Sequence, residues 1–521
     1  MAVAKFVQGS ILRHILVMSS TAAIGISALF VVDLLDIFFL SLLGEQELAA
    51  AVGYAGTISF FTTSIGIGLS IALGALVSRS IGAKQAEKAK RLLLNSLVVT
   101  FLMSLLVAFS VYMFIPELLS LVGATGKTAE LAESYLNILV PSLPLICLAM
   151  ALGSALRAVG DAKLSMVSTL VGGGVNAVFD PIFIFMFAMG IEGAAVASVM
   201  ARFAVFVVAA RGVVFKHKLL GRFNIEHFVE DLSPIFAIAG PAMLTNVATP
   251  IGNAVVTRAI ADFGDSYVAG WAVLGRLIPV SFGMIFALSG AIGPIVGQNY
   301  GALEFERVKE SLTRAIQFCA VYVLAVSLLL FLTRHQIVSV FDMKGDAADL
   351  ILFFCSFIAV FFIFSGILFV ANASFNNLGK AKYSTLFNVG KATLGTIPFV
   401  YFGAQWGGVY GVLIGQALGS IIFGIVGVLV AYRLVERVKA ASIATAADVT
   451  EFAKATDKTK DKAKGKTKDK SEFDEELSLS GQSPLSSSCA NMAIVNEEQD
   501  CEGSNEIAEL IGVKEESAPS K

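Results

Sequence analysis

The chain has 521 residues, 56% of them hydrophobic and 15% charged, with a formal net charge of −2 and a mean hydropathy of +0.78. A soluble protein of this length needs a polar shell that such a composition does not supply, so the bilayer must act as solvent for most of it. Lys and Arg are scattered through short connections rather than gathered on one face, which argues against nucleic-acid binding, and the five cysteines show no metal-ligand spacing.

In chain order, apolar stretches long enough to span a ~30 Å hydrocarbon core are predicted at 15–43, 51–78, 92–114, 131–156, 164–189 and 193–212. The first run is far longer than a signal-peptide core and leads into further spans, so no cleavable leader is expected. It carries Asp33 and Asp36, three residues apart and therefore on one helix face. The fifth carries Asn176 and Asp180, four apart, with Pro181 next, and the sixth carries Arg202. Residues 213–231 read as a polar linker. A second set of spans follows at 232–262, 268–297, 315–333, 347–372, 383–403 and 408–432. Here the polar groups are Asn246, Asn253 and Arg258 in the seventh span, Arg276 in the eighth and Lys391 in the eleventh. From residue 440 a Lys-rich stretch around Lys458–Lys470 gives way to an acidic, Ser-rich run, which has too few apolar groups for a core and is expected to be disordered.

The two sets of spans repeat each other at an offset of roughly 220 residues. Gly44-Glu45 reappears as Gly264-Asp265, Gly82-Ala83 as Gly301-Ala302, and Leu156–Lys163 as the looser Phe375–Lys382. A duplicated hydrophobic half is the mark of a two-lobed transporter with its cavity between the lobes. The alternate connections that hold Arg79, Lys84, Lys88, Arg157, Lys163, Lys216, Arg307, Lys309 and Lys380 fall on one side, while the other side has only Lys127, Arg334 and Lys344. By the excess of positive charge, the first side and both termini are expected to be cytoplasmic. Each half has an even number of spans, so the halves run the same way and are related by an axis along the membrane normal.

An ionisable group at the centre of a spanning helix costs about 2.5–3.5 kcal/mol on insertion scales, which makes such residues the first candidates for function. Asp36 and Asp180 sit at similar depth in the outer part of the first half. Two carboxylates in one low-dielectric pocket do not both ionise cheaply, which suits a site that takes up and releases a proton. The same oxygens with the Asn176 amide also suit Na⁺. The bland alternative is that the acids only tie helices together. The second half has no acid at the matching places: Asp33 maps to Asn253 and Asp36 to Val256. It carries cations instead, of which Arg276 and Lys391, with Asn246 and Asn253, are the candidates for a substrate cavity.

The order Asp36…Gly44, Gly74…Arg79…Gly82-Ala83, Arg157…Gly160-Asp161…Asn176…Asp180-Pro181…Gly190…Gly193-Ala194-Ala195, continued by Pro241…Asn246…Gly264-Asp265, Arg276 and Gly297–Ala302, resembles the multidrug and toxic compound extrusion (MATE) transporters. The resemblance covers about residues 11–435. It implies twelve helices in two six-helix bundles and export driven by inward H⁺ or Na⁺ movement. Within the family, the chain is similar to the DinF-like and archaeal branch, whose first-helix acid matches Asp36 and whose fifth-helix Asn and Asp match Asn176 and Asp180; the resemblance implies protonation there. The other large branch places a Glu in helix 7, where this chain has Asn246 and Asn253 as its main polar groups. Two departures stand out: Thr21 occupies a place commonly filled by Pro, and Asp33 one where a neutral amide is common.

The expected molecule is an all-α polytopic protein, with bundles at 1–212 and 232–439, a linker at 213–231 and a tail at 440–521. It is expected to be an inner-membrane antiporter and not an enzyme, exporting amphipathic, often cationic drugs or metabolites in exchange for H⁺, or Na⁺ bound at Asp36, Asn176 and Asp180. No cofactor or other metal is expected, the partners are the small-molecule substrate and membrane lipid, and the chain is expected to be a monomer. The rival readings are a lipid-linked oligosaccharide flippase of the same superfamily, which calls for more inward Arg and Lys, and an uncoupled channel or sensor.

Overall fold

A computed structural model describes residues 4–43 and 46–466, without the side chains of Asp33, Ile37, Ser41, Gln46, Ala49 and 445–466. The first half comprises α1 (Ile11–Ser41), α2 (Gln46–Gly82), α3 (Ala86–Met113), α4 (Ile115–Leu121), α5 (Gly126–Leu139), α6 (Leu143–Ala158), α7 (Ala162–Pro181) and α8 (Gly190–Arg211). The second comprises α9 (Ile225–Ala261), α10 (Asp265–Gly301), α11 (Phe305–Val340), α12 (Gly345–Phe353), α13 (Phe362–Asn377), α14 (Ala381–Ala392) and α15 (Ile397–Lys466). Residues up to Val428 form one compact unit and those from Leu429 a second, so α15 contributes to both.

Among the described residues, eleven stretches are long and apolar enough to cross a membrane. The last, Ala381–Ala444, has 64 residues, about three times the ~20 that a crossing needs. It is broken after α14 and again at Gly408, whose φ of 57° and ψ of −144° are not helical, so the eleven stretches hold twelve crossings. Leucine and phenylalanine rows such as Leu102, Leu105, Leu106 and Phe109 on α3, and Leu324, Leu328, Leu329 and Leu332 on α11, are exposed at helical spacing, which is the face a lipid tail covers.

The duplication is visible in the packing. α1 lies against α10, and its counterpart pair is α2 against α9. The crossing made by α5 and α6 is interrupted by a 3-10 turn at Val140–Ser142, and the crossing made by α12 and α13 by wider and tighter turns at Phe354–Phe361. α7 ends at Pro181 and passes into a π-helical turn, Ile182–Met186, while α14 is followed by a non-helical step at Thr393. α1 itself is continuous: Thr21 donates its hydroxyl to the carbonyls of Val17 and Met18, and no proline breaks the ladder.

Two sequence expectations differ in extent. α9 already begins at Ile225, within the segment read as linker, capped by the Asn224 side chain on the Glu226 N–H. α15 continues to Lys466, into the segment expected to be disordered, because its Ala, Lys and Glu residues favour helix even without a core to pack on. The remainder of the tail, 467–521, lies outside the described residues.

At the end that carries the basic connections the halves are fastened together. Gly82 of α2 abuts the Gln298 carbonyl and Gly301 of α10 abuts the Arg79 carbonyl, so any side chain at either place would drive the helices apart. The fully buried Gln298 accepts from the Phe6 N–H at 2.9 Å and donates to the Ala158 carbonyl at 2.7 Å. The Phe6 carbonyl takes Asn299 and Arg307, at 3.2 and 2.9 Å. Arg79 donates to the Asn376 carbonyl at 2.7 Å and stacks over Tyr300. Nearby, Arg91 and Asn95 of α3 grip Asp231 of α9 at 2.9 and 2.7 Å.

Candidate functional site

α7 packs between α1 and α8. Gly173 permits the approach to α1, since a β-carbon there would stand 3.1 Å from the Val32 side chain. The result is a meeting of three predicted residues inside the first half. Asn176 donates its amide to Asp36 at 2.6 Å and to Asp180 at 3.4 Å. Asn176 and Asp180 are buried and Asp36 half-buried.

The balance of donors is unequal. The Asn176 amide has two hydrogens and both point at carboxylates. Its own carbonyl oxygen and one oxygen of Asp180 are buried without a hydrogen-bond partner. A buried acceptor left in that state costs roughly 1–3 kcal/mol. A proton on either acid would supply a missing donor, and a small hard cation would draw the spare oxygens together. Among the described residues no group of three or more His, Cys, Asp or Glu side chains is arranged to hold a metal.

Pro181 explains the local backbone. It lacks the N–H that would close on Ala177, and the turn after it widens into the π-helical Ile182–Met186. Asp180 thus stands at the end of regular helix, inside the bundle. Behind the acids lies Tyr135, which meets Ser198 and is within electrostatic reach of Asp36, Asp180 and Arg202. Arg202 donates to the Leu139 carbonyl at 3.1 Å and the Ser142 hydroxyl at 2.8 Å, beside a small cavity that Ser59 and Thr62 also line. Sequence reading missed Tyr135, Ser142 and Ser198; a hydroxyl in an apolar span was the one available signal.

Asp33 lies one turn before Asp36 on α1, and its side chain is outside the described residues. In the second half the predicted cavity residues are not joined to one another. Asn246 donates back to the Ala242 carbonyl of its own helix at 2.8 Å. Asn253 and Arg276 are exposed on α9 and α10, and neither side chain has a hydrogen bond or ion pair among the described residues. Lys391 is half-buried at the end of α14 and donates to Ser365 of α13 at 2.9 Å.

The MatE family model matches residues 22–182 and again 241–402. The chain belongs to the MATE family of membrane transporters. The two matches fall on the two halves, so the duplication read in the sequence is that of a MATE protein. Over 439 residues the chain is 27% identical to a FAD transporter of Shewanella oneidensis, covering 83% of this chain and 97% of that one. It is 23% identical over 440 residues to the multidrug export protein MepA of Staphylococcus aureus, covering 83% and 96%. Among solved structures, the Vibrio cholerae MATE transporter VcmN superposes with a TM-score of 0.77 at 25% identity, over 82% of this chain and 96% of that chain. A transporter of the MOP superfamily from Pyrococcus furiosus has a TM-score of 0.78 at 23% identity, over 83% and 98%, and shares the fold. The MATE architecture of two six-helix bundles therefore holds for this chain.

Proposed function

We propose that the protein is a secondary active antiporter that exports amphipathic organic compounds, many of them cationic, in exchange for H⁺, with Na⁺ as the other ion that the same oxygens fit. The observation that carries this reading is the acceptor-rich cluster of Asp36, Asn176 and Asp180, enclosed in one half with buried oxygens that lack donors. A site that gains stability by taking a cation, and that faces alternate sides of the membrane in turn, is what coupling requires.

The basic connections support a cytoplasmic location for the fastened end, for both termini and for the segment that joins the two bundles. The sealed end then corresponds to an outward-open protein in an inner membrane, acting as a monomer. From outside, H⁺ would neutralise the cluster and release a cationic cargo; once the site turns inward, loss of H⁺ restores the charge that attracts the next. The name of MepA supports multidrug export, and that of the Shewanella protein extends the cargo to an aromatic nucleotide. Embedded cations are too few for a pyrophosphate-lipid flippase.

The test is ethidium export from proteoliposomes with an imposed pH gradient and, separately, an imposed Na⁺ gradient. Asp36→Asn is expected to reduce gradient-driven export at least tenfold, to the passive leak. Wild-type rates in Asp36→Asn under both gradients would remove the coupling scheme.

A further inference from the structure

We propose that Lys391 and Ser365 form a binding site for the acidic group, phosphate or carboxylate, of an aromatic transported molecule. The inference rests on the transport reading above and assigns the second half of the cavity a chemistry opposite to that of the first.

Lys391 lies in the last turn of α14, next to the non-helical step at Thr393. The corresponding crossing of the first half is α7, interrupted just after Asp180. Interrupted helices in corresponding crossings of a duplicated transporter point to its binding region, although here the breaks stand about two turns apart on the repeat, Thr393 falling opposite Gly174. Here one interruption carries an acid and the other a cation. An ammonium has three donors, and the hydrogen bond of Lys391 goes to the Ser365 hydroxyl. Among the described residues no carboxylate lies within 4.0 Å of Lys391, whereas Arg91 has Asp231 and Lys216 has Asp161. A charge at membrane depth without a counter-ion is costly, and an acidic ligand group is the partner that relieves it.

Ser365 accepts from Lys391, so its own hydrogen remains to be donated. Ammonium and hydroxyl together make a two-point, charge-assisted clamp for an oxyanion. The polar strip continues below it. α13 and α14 are neighbours joined by the short turn at Leu378–Lys380 and run antiparallel. Two turns along the same face of α13 from Ser365 stands Asn372, and two turns along the same face of α14 from Lys391 stands Ser384; Asn372 Oδ1 and Ser384 Oγ are both buried without a hydrogen-bond partner. Above and below Ser365 on the same face of α13 stand Phe362 and Phe369. They meet Phe282 and Phe286 of α10, with centroids 4.3 Å apart for Phe282–Phe362 and 5.5 Å for Phe286–Phe369. A flat ring beside this aromatic row would bring its acidic substituent to Lys391. Arg202, the embedded cation of the first half, is instead engaged by a carbonyl and a hydroxyl of its own bundle.

The probes are FMN and riboflavin, which share ring and ribityl chain and differ by one phosphate. Binding to the purified protein in nanodiscs is read by quenching of flavin fluorescence. The wild type should hold FMN about tenfold more tightly than riboflavin, the factor that one charge-assisted contact supplies. Lys391→Met should weaken FMN to the riboflavin level without moving riboflavin, which also reports an intact fold; Lys391→Arg should keep the preference, and Ser365→Ala should shrink it about threefold. A wild type that binds the two flavins equally or binds neither, or a preference that survives both Lys391→Met and Ser365→Ala, overturns the inference. Failure of the transport reading shows separately, as wild-type proteoliposomes that export ethidium at the leak rate whatever the flavins do.

Discussion

Asp161 caps α7 through the Leu164 N–H at 3.3 Å and pairs with Lys216 at 2.7 Å and His217 at 2.8 Å. Burial alone pushes its carboxyl up, but the hydrogen bonds from Lys216, His217 and Leu164 outweigh it and hold the group below its ordinary value of 3.8. A folded pKa below the unfolded one contributes stability that is fully present above the unfolded value and is lost as pH falls through the folded one. Asp161→Asn keeps a capping oxygen but loses the charge. It should cost about 1 kcal/mol at pH 7, and the difference from wild type should vanish once the pH has fallen well below 4. Thermal unfolding in detergent across that range checks both. At this scale Asp36, Asn176 and Asp180 were legible because two helical spacings put acids where acids are costly. Ser365 and Tyr135 were not, because a hydroxyl in an apolar span leaves no periodic trace and becomes meaningful only beside its neighbour from another helix.

The crossings themselves follow from hydropathy, and all twelve appear near their expected places. Their interruptions do not follow, because the π-helical and 3-10 turns at Ile182–Met186 and Phe354–Phe361 are set by what packs around them. Pro181 is the exception, a break with a covalent cause. Restoring the N–H in Pro181→Ala should close the bond to Ala177 and raise stability by about 1 kcal/mol or more, given the ~3 kcal/mol an interior proline costs. The same change should move Asp180 relative to Asp36 and reduce gradient-driven export several-fold. A variant that gains thermal stability and exports at the wild-type rate would show that the break has no part in coupling.

The duplication is legible across the molecule as a whole, since an offset of roughly 220 residues needs no coordinates. The fastening of the halves is not, because Phe6 and Gln298 stand 292 residues apart and nothing in either one's surroundings names the other. Gln298→Leu would orphan the Phe6 N–H and the Ala158 carbonyl, at roughly 1–3 kcal/mol for each. Amide exchange should therefore quicken at the N-terminal segment and at the ends of α2, α6 and α10, while α7 and α8 keep their protection. Unchanged exchange at those ends would mean that the glycine contacts and the bonds from Arg79, Asn299 and Arg307 hold the seam without Gln298.

The stitching of Phe6 has a practical side. Whatever is fused just upstream of it rides on a segment that must come undone each time the fastened end opens. Bulky purification handles at the amino terminus should therefore bias the conformer recovered, and handles at the opposite terminus are the better choice for anyone seeking the form open at that end.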